Sequence, residues 1–184
     1  KLLEQGQLDL MPDVAFTVER ARRYDFHAVS VASQWSQIYS APHFKVMSLA
    51  DLAGKRIAIL DGGIQQTPFK QLMERSNYPY QTILVASLDQ GYAAVAAGKA
   101  DAVATNSFFA AYNSGKYKLL ETPIVFQPSN LYFATARGHN PDLLKRIDVH
   151  LAAWRRDADS IYFDALHHAM AAPPEVLVPR WLLW

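Results

Sequence analysis

Two segments of the sequence carry groups suited to holding an anion. In Thr17-Val18-Glu19-Arg20 the threonine is of the type that caps a helix, and Arg20, one turn on, projects beside that cap, where a guanidinium can grip a carboxylate through two hydrogen bonds. In Asp61-Gly62-Gly63-Ile64-Gln65 a glycine turn opens a helix, leaving backbone N–H groups at the end whose dipole favours negative charge. Each has an ordinary reading beside the functional one: a solvated or salt-bridged arginine, and a plain strand-to-helix turn. Trp35-Ser36-Gln37 supplies an aromatic wall and amides of the kind found in small-molecule clefts, and equally the makings of a core strand.

Other chemistry is poorly represented. The six histidines, at 27, 43, 139, 150, 167 and 168, are scattered, and the adjacent pair His167-His168 points in different directions on a helix. Neither a metal nor a cofactor is implied. The nucleophile elbow G-x-S-x-G, the zinc motif H-E-x-x-H, the phosphate loop and the dinucleotide glycine fingerprint are all missing from the sequence, which argues against an enzyme.

The elements that must position the anion-binding groups alternate between strand and helix. Leu2, Leu3 and Leu8 around Glu4, Gln5 and Gly6 read as the last turn of a helix leading into a strand at residues 8–11, and residues 29–39 as an extended segment ended by Pro42. Residues 49–54 form a helical turn closed by Gly54. Strands follow at 55–60 and 81–85, with a helix between them at 65–75. A helix at 88–97, capped by Ser87 or Asp89 and ended by Gly98, precedes a buried strand at 102–104, and Asn106 or Ser107 caps the helix after it. Short strands at 117–120, 124–126 and 131–136 lead to helices at 142–155 and 160–170. This alternation predicts an α/β fold with mostly parallel sheets flanked by helices.

Composition narrows the class. The chain has 184 residues, 51% hydrophobic and 19% charged, with a net charge of +1, enough for a packed core and without the concentrated basic face that nucleic acid requires. There is no cysteine, so disulfides, thiolate metal sites and cysteine nucleophiles are excluded. No apolar run reaches the ~18–20 residues of a membrane span, so a membrane anchor or signal is expected outside this chain. Residues 176–184 are apolar and aromatic with one arginine, which fits either the approach to a membrane span or a segment docked on the core.

The order of the segments matters more than any one of them. Gly6-x-Leu8-Asp9, Thr17-x-x-Arg20 and Tyr24-Asp25-Phe26 are followed by Leu49-x-Asp51-Leu52-x-Gly54-Lys55-Arg56-Ile57-Ala58, then Gly62-x-x-Gln65, then Gly98-Lys99-Ala100-Asp101-Ala102. From Gly6 to about Arg156 this series resembles the type 2 periplasmic solute-binding proteins, amino-acid-binding branch. Within that group, residues 10–15, the Trp35-Ser36-Gln37 strand and the Pro179-Arg180-Trp181 ending are similar to sensor domains of bacterial histidine kinases and diguanylate cyclases.

The resemblance implies a two-lobed fold closing on a small ligand, with lobe one N-terminally incomplete in this chain. Residues 1–40 would be the remainder of lobe one with a hinge strand, 41–127 lobe two, 128–170 the return to lobe one, and 171–184 a membrane-approaching tail. Arg20 stands where the family has the arginine that clamps a ligand carboxylate, and Gly62, Ile64 and Gln65 stand at lobe-two ligand positions. Asn106 replaces the aspartate that usually meets the ligand ammonium, Ala15 a ligand-bonding serine and Ile64 a threonine, so Asp13 is the candidate acidic partner. The expected function is an extracytoplasmic, membrane-tethered sensor for a carboxylate-bearing or amino-acid-like small molecule, with a homodimer as a possible assembly. A soluble component of an ABC transporter is the alternative. A solute-binding-like periplasmic enzyme, akin to cyclohexadienyl dehydratase or a murein-cleaving enzyme, is a third, with Glu19 and Asp13 as its acid–base candidates.

Overall fold

The structure, a computed structural model, describes residues 2–170. The expected tail at 171–184 lies outside the described residues. Residues 2–7 close as a helix end does: Gly6, at φ 65°, donates to the Leu3 carbonyl at 3.1 Å and Gln7 to the Leu2 carbonyl at 3.0 Å. The first strand begins later than expected, as β1 (Met11–Ala15), because the residues that bury there are Val14 and Ala15, while Leu8 stays exposed. Thr17 is followed by a single 3-10 turn (Arg20–Arg22) instead of a full helix, and β2 (Tyr24–Phe26) starts at once behind it.

Next come β3 (Ala32–Ser40), a 3-10 turn (Leu49–Leu52), β4 (Arg56–Leu60), α1 (Gln66–Arg75), β5 (Gln81–Val85), α2 (Leu88–Ala96), β6 (Ala102–Asn106) and α3 (Ser107–Tyr117). β7 (Leu120–Ala136), α4 (Pro141–Trp154) and α5 (Ile161–Met170) complete the described chain. The seven strands form one sheet in the order β1-β7-β3-β6-β4-β5, with β2 also on β7. It is a mixed sheet flanked by helices. Parallel pairing is confined to β4 with β5 and β6, a smaller share than the strand-helix alternation suggested. The reason is β7, which the sequence divides into three short strands. It runs unbroken for 17 residues and pairs antiparallel with β1, β2 and β3.

β4 shows how the sheet is buried. Ile57 and Ile59 face one core with Ile38, Leu52, Phe69 and Met73, while Ala58 between them faces a second with Tyr39, Tyr92, Val95 and Val103. Successive strand residues point to opposite faces, so a continuous apolar run is what a strand covered on both sides needs. α1 covers the first face and α2 the second. α2 lies so close that a Cβ on Gly91 would come within 3.0 Å of Val103 Cγ2. Two of the segments that carry the family resemblance meet here as structure: Arg56 donates to Asp101 through its backbone N–H (2.8 Å), Nε (3.2 Å) and Nη2 (2.7 Å), tying the start of β4 to the start of β6.

Candidate functional site

A cavity of about 570 Å³ opens between the 17–24 segment and the start of α1, with Gln127 of β7 at its back. Thr17 holds the first wall together: its Oγ1 accepts from the Arg20 N–H at 3.1 Å and its carbonyl from the Ala21 N–H at 2.9 Å. This fixes the backbone under Arg20. The guanidinium makes one bond, from Nη1 to the Ala15 carbonyl at 3.0 Å, and has no carboxylate partner among the described residues. Its neighbour Arg23 differs, since its Nε and Nη2 both grip Glu4, each at 2.7 Å. That grip holds the Glu4 carboxyl below its usual range and the Arg23 guanidinium above its own. The cavity therefore contains one satisfied arginine and one with donors to spare.

The opposite wall is the glycine turn. Gly62 adopts φ 65°, where a side chain is strained, and its N–H donates to Gln66 Oε1 at 3.2 Å, while the Gly63 N–H donates to the Leu60 carbonyl at 3.0 Å. The N–H groups of Ile64 and Gln65 find no acceptor among the described residues. Gly63 must be small: a Cβ there would lie 2.9 Å from both the Leu60 carbonyl oxygen and Gln65 Oε1. The cavity thus brings together a guanidinium with donors to spare and the positive end of a helix, two features whose chemistry suits an anion.

Of the site residues expected from the sequence, Arg20, Gly62 and Ile64 line this cavity together. The others lie elsewhere. Gln65 is buried beneath the turn at 3% exposure. Ala15 is buried in β1 opposite Leu131 and meets Arg20 only through its carbonyl. Asn106 is a helix cap, its Oδ1 accepting from the Phe109 N–H at 2.8 Å, so the side chain is occupied structurally. Asp13 opens into a different cavity. Arg23, Tyr24, Gln66 and Gln127, which the sequence did not mark as site residues, also line the cavity, as does Glu19, expected only as an acid–base candidate. Arg23 stands one turn beyond Arg20 and was visible in principle, whereas Gln127 arrives by tertiary pairing alone. Trp35 is not core. It is 39% exposed and donates from Nε1 to Gln37 Oε1 at 3.1 Å, beside a further cavity of about 350 Å³.

Solved structures define the class first. An ancestral amino-acid-binding protein, AncCDT-1, described as a precursor of cyclohexadienyl dehydratase, superposes with a TM-score of 0.74 at 23% identity, over 91% of this chain and 70% of its own. A histidine kinase sensor domain with similarity to periplasmic binding proteins gives 0.74 at 19% identity, over 94% and 75%. The amino acid ABC transporter substrate-binding protein AbpA from Streptococcus pneumoniae, bound to L-arginine, gives 0.74 at 17% identity, over 92% and 70%. The fold is that of the periplasmic binding proteins. Within it, the chain belongs to the NMT1/THI5-like family, whose model matches residues 11–132. No curated protein matches the sequence.

Proposed function

We propose that this chain is an extracytoplasmic binding domain for a small carboxylate-bearing solute, amino-acid-like in size, without catalytic activity of its own. The observation that carries the reading is Arg20, whose guanidinium lines a 570 Å³ cavity, lacks a carboxylate partner among the described residues, and shares that cavity with the Gly62–Ile64 turn that leads into α1. The ligand carboxylate takes the free Arg20 donors and the Ile64 N–H.

Residues 1–40 and 128–170 act as one lobe and 41–127 as the other. The geometry of the two long strands supports a hinge between them. Gln34 pairs with Ser129 and Ser36 with Phe126, so β7 carries an extra residue at Gln127-Pro128, and Gln127 takes φ 51° there. A bulge is where a strand pair bends most readily. The cavity lies at the same level, with walls from both lobes, so a ligand binding both walls favours the closed arrangement by its differential affinity.

The output we infer is signalling, as the sensor domain of a membrane-tethered receptor; the histidine kinase sensor domain among the structural relatives supports it. The solute-binding relatives of ABC transporters favour a second reading, a soluble carrier with the same site. The coding sequence beyond Trp184 separates the two: a hydrophobic span followed by a kinase or cyclase domain fits the sensor, and a stop codon fits the carrier. The binding reading is tested by thermal unfolding against amino acids, dicarboxylates and neutral or cationic analogues. A carboxylate at 100 times its Kd adds ~2.7 kcal/mol, which raises the midpoint by roughly 5 °C or more. Stabilisation by carboxylates that Arg20→Met removes supports the site; a response indifferent to Arg20 overturns it.

A further inference from the structure

Asp13 is in an unusual position for an aspartate. It lies in β1 at the break in pairing between Met11 and Val14, with φ 60°, left-handed backbone that side chains other than Asn and Asp seldom adopt. A bulge of this kind re-aims a side chain, and strain of this kind tends to collect where function needs it. The Asp13 carboxylate makes no hydrogen bond or ion pair among the described residues; the residue is exposed at the edge of the sheet, and partial desolvation there raises its pKa above the usual value.

The side chain borders a cavity of about 410 Å³ between β1, β3 and β7 on one side and α3 and α5 on the other. None of its lining residues is shared with the Arg20 cavity. Its walls are aromatic and aliphatic, among them Phe108, Tyr112, Leu131, Phe133 and Tyr162. Both tyrosine hydroxyls are occupied, Tyr162 donating to the Val31 carbonyl at 2.9 Å and Tyr112 to the His168 carbonyl at 2.6 Å. Among the described residues, that leaves Asp13 as the single formally charged side chain bordering an apolar space of small-molecule size, roughly 300–1,000 Å³ for ligand pockets in general.

We propose that this cavity is a second ligand site, for a small hydrophobic cation such as an aryl-alkyl ammonium, whose ring packs among Phe108, Phe133 and Tyr162 and whose charge pairs with Asp13. A neutral apolar ligand leaves the carboxylate desolvated without a partner, and an anion is repelled by it. A cation with an apolar body satisfies both the walls and the charge.

The test is isothermal titration of the protein with 2-phenylethylamine, with 3-phenylpropionate as the shape-matched anion. Saturable binding of the amine is expected, weakened at least tenfold by Asp13→Asn and by Ala165→Phe, which fills the cavity. Asp13→Gly, which relieves the backbone at φ 60°, keeps the fold and loses the amine, so loss of binding is separable from loss of structure. Affinity rises with pH as Asp13 ionises. Absence of saturable heat at millimolar amine, equal binding of 3-phenylpropionate, or full affinity in Asp13→Asn would each overturn the proposal.

Discussion

Replacing Asp148 with alanine removes the anchor between α4 and the strand connection at residues 27–29. Its Oδ1 accepts from the Val29 N–H at 2.7 Å and the Ala28 N–H at 2.9 Å, with Oδ2 also 2.9 Å from the latter. His27, whose side chain is fully buried, contributes the third contact. Phe133 donates its N–H to His27 Nε2 at 2.9 Å, so the hydrogen resides on Nδ1, which donates to Asp148 Oδ1 at 3.1 Å. A hydrogen bond to a charged acceptor contributes about 1.5–3 kcal/mol, and a buried donor left unmade costs about 1–3 kcal/mol. The Ala28 N–H is exposed and recovers water, so the net loss is about 2–4 kcal/mol. At roughly 2–4 °C per kcal/mol for a chain of this size, the melting midpoint falls by roughly 5–15 °C.

The same residue sets a pH signature. Burial works against the Asp148 carboxylate, but the N–H groups of Val29 and Ala28 and the His27 ring outweigh it and hold the carboxyl below its ordinary value. A depressed folded pKa stabilises above the unfolded value, ~3.9, and that stabilisation disappears as pH falls through the folded pKa. Urea unfolding of the two proteins at neutral pH and near pH 3 checks both claims. A loss under about 1 kcal/mol at neutral pH, or a gap that fails to narrow in acid, refutes the reasoning.

Three further outcomes follow from single residues. Gly63→Ala places a Cβ 2.9 Å from the Leu60 carbonyl, so the turn shifts; it should lower carboxylate affinity at least tenfold, measured by titration, while far-UV circular dichroism is unchanged. Lys118 ends α3 at φ 55°, donating to Gly115 in the closing pattern that glycine prefers, so Lys118→Gly should raise stability by about 0.5–1 kcal/mol in urea unfolding. Asp101 is held below the usual carboxylate range by the Arg56 guanidinium, so Asp101→Asn should destabilise above pH ~4 and converge with the unmodified protein in acid, read by thermal unfolding.

How far the sequence could be read depended on how local each determinant was. β5 (Gln81–Val85) matches the expected bounds, and α1 and α2 differ from theirs by one residue, because Asp61-Gly62-Gly63, Ser87 and Gly98 mark their ends with local chemistry. Asn106 was legible as a cap for the same reason, and its Oδ1 is committed to the Phe109 N–H. β7 was not legible as one strand. Pro123 and Pro128 look like breaks, yet a strand tolerates proline where no ladder N–H is needed or at a bulge, and only the pairing with β3 reveals which. In the site, Arg20 and the glycine turn announced anion chemistry separately. Their shared cavity depends on the sheet order, as does the arrival of Gln127. Asp13 was visible as an acidic residue, but its left-handed backbone and apolar surroundings are tertiary facts.

In the proposed function a carboxylate is held by Arg20 against the start of α1. The most direct measurement is isothermal titration of a stabilising carboxylate and of its methyl ester against the protein and against Arg20→Met. The acid is expected to bind the unmodified protein at least a hundredfold tighter than its ester, and Arg20→Met to erase the difference. Equal affinity for acid and ester in the unmodified protein, or a preference that survives in Arg20→Met, would contradict it.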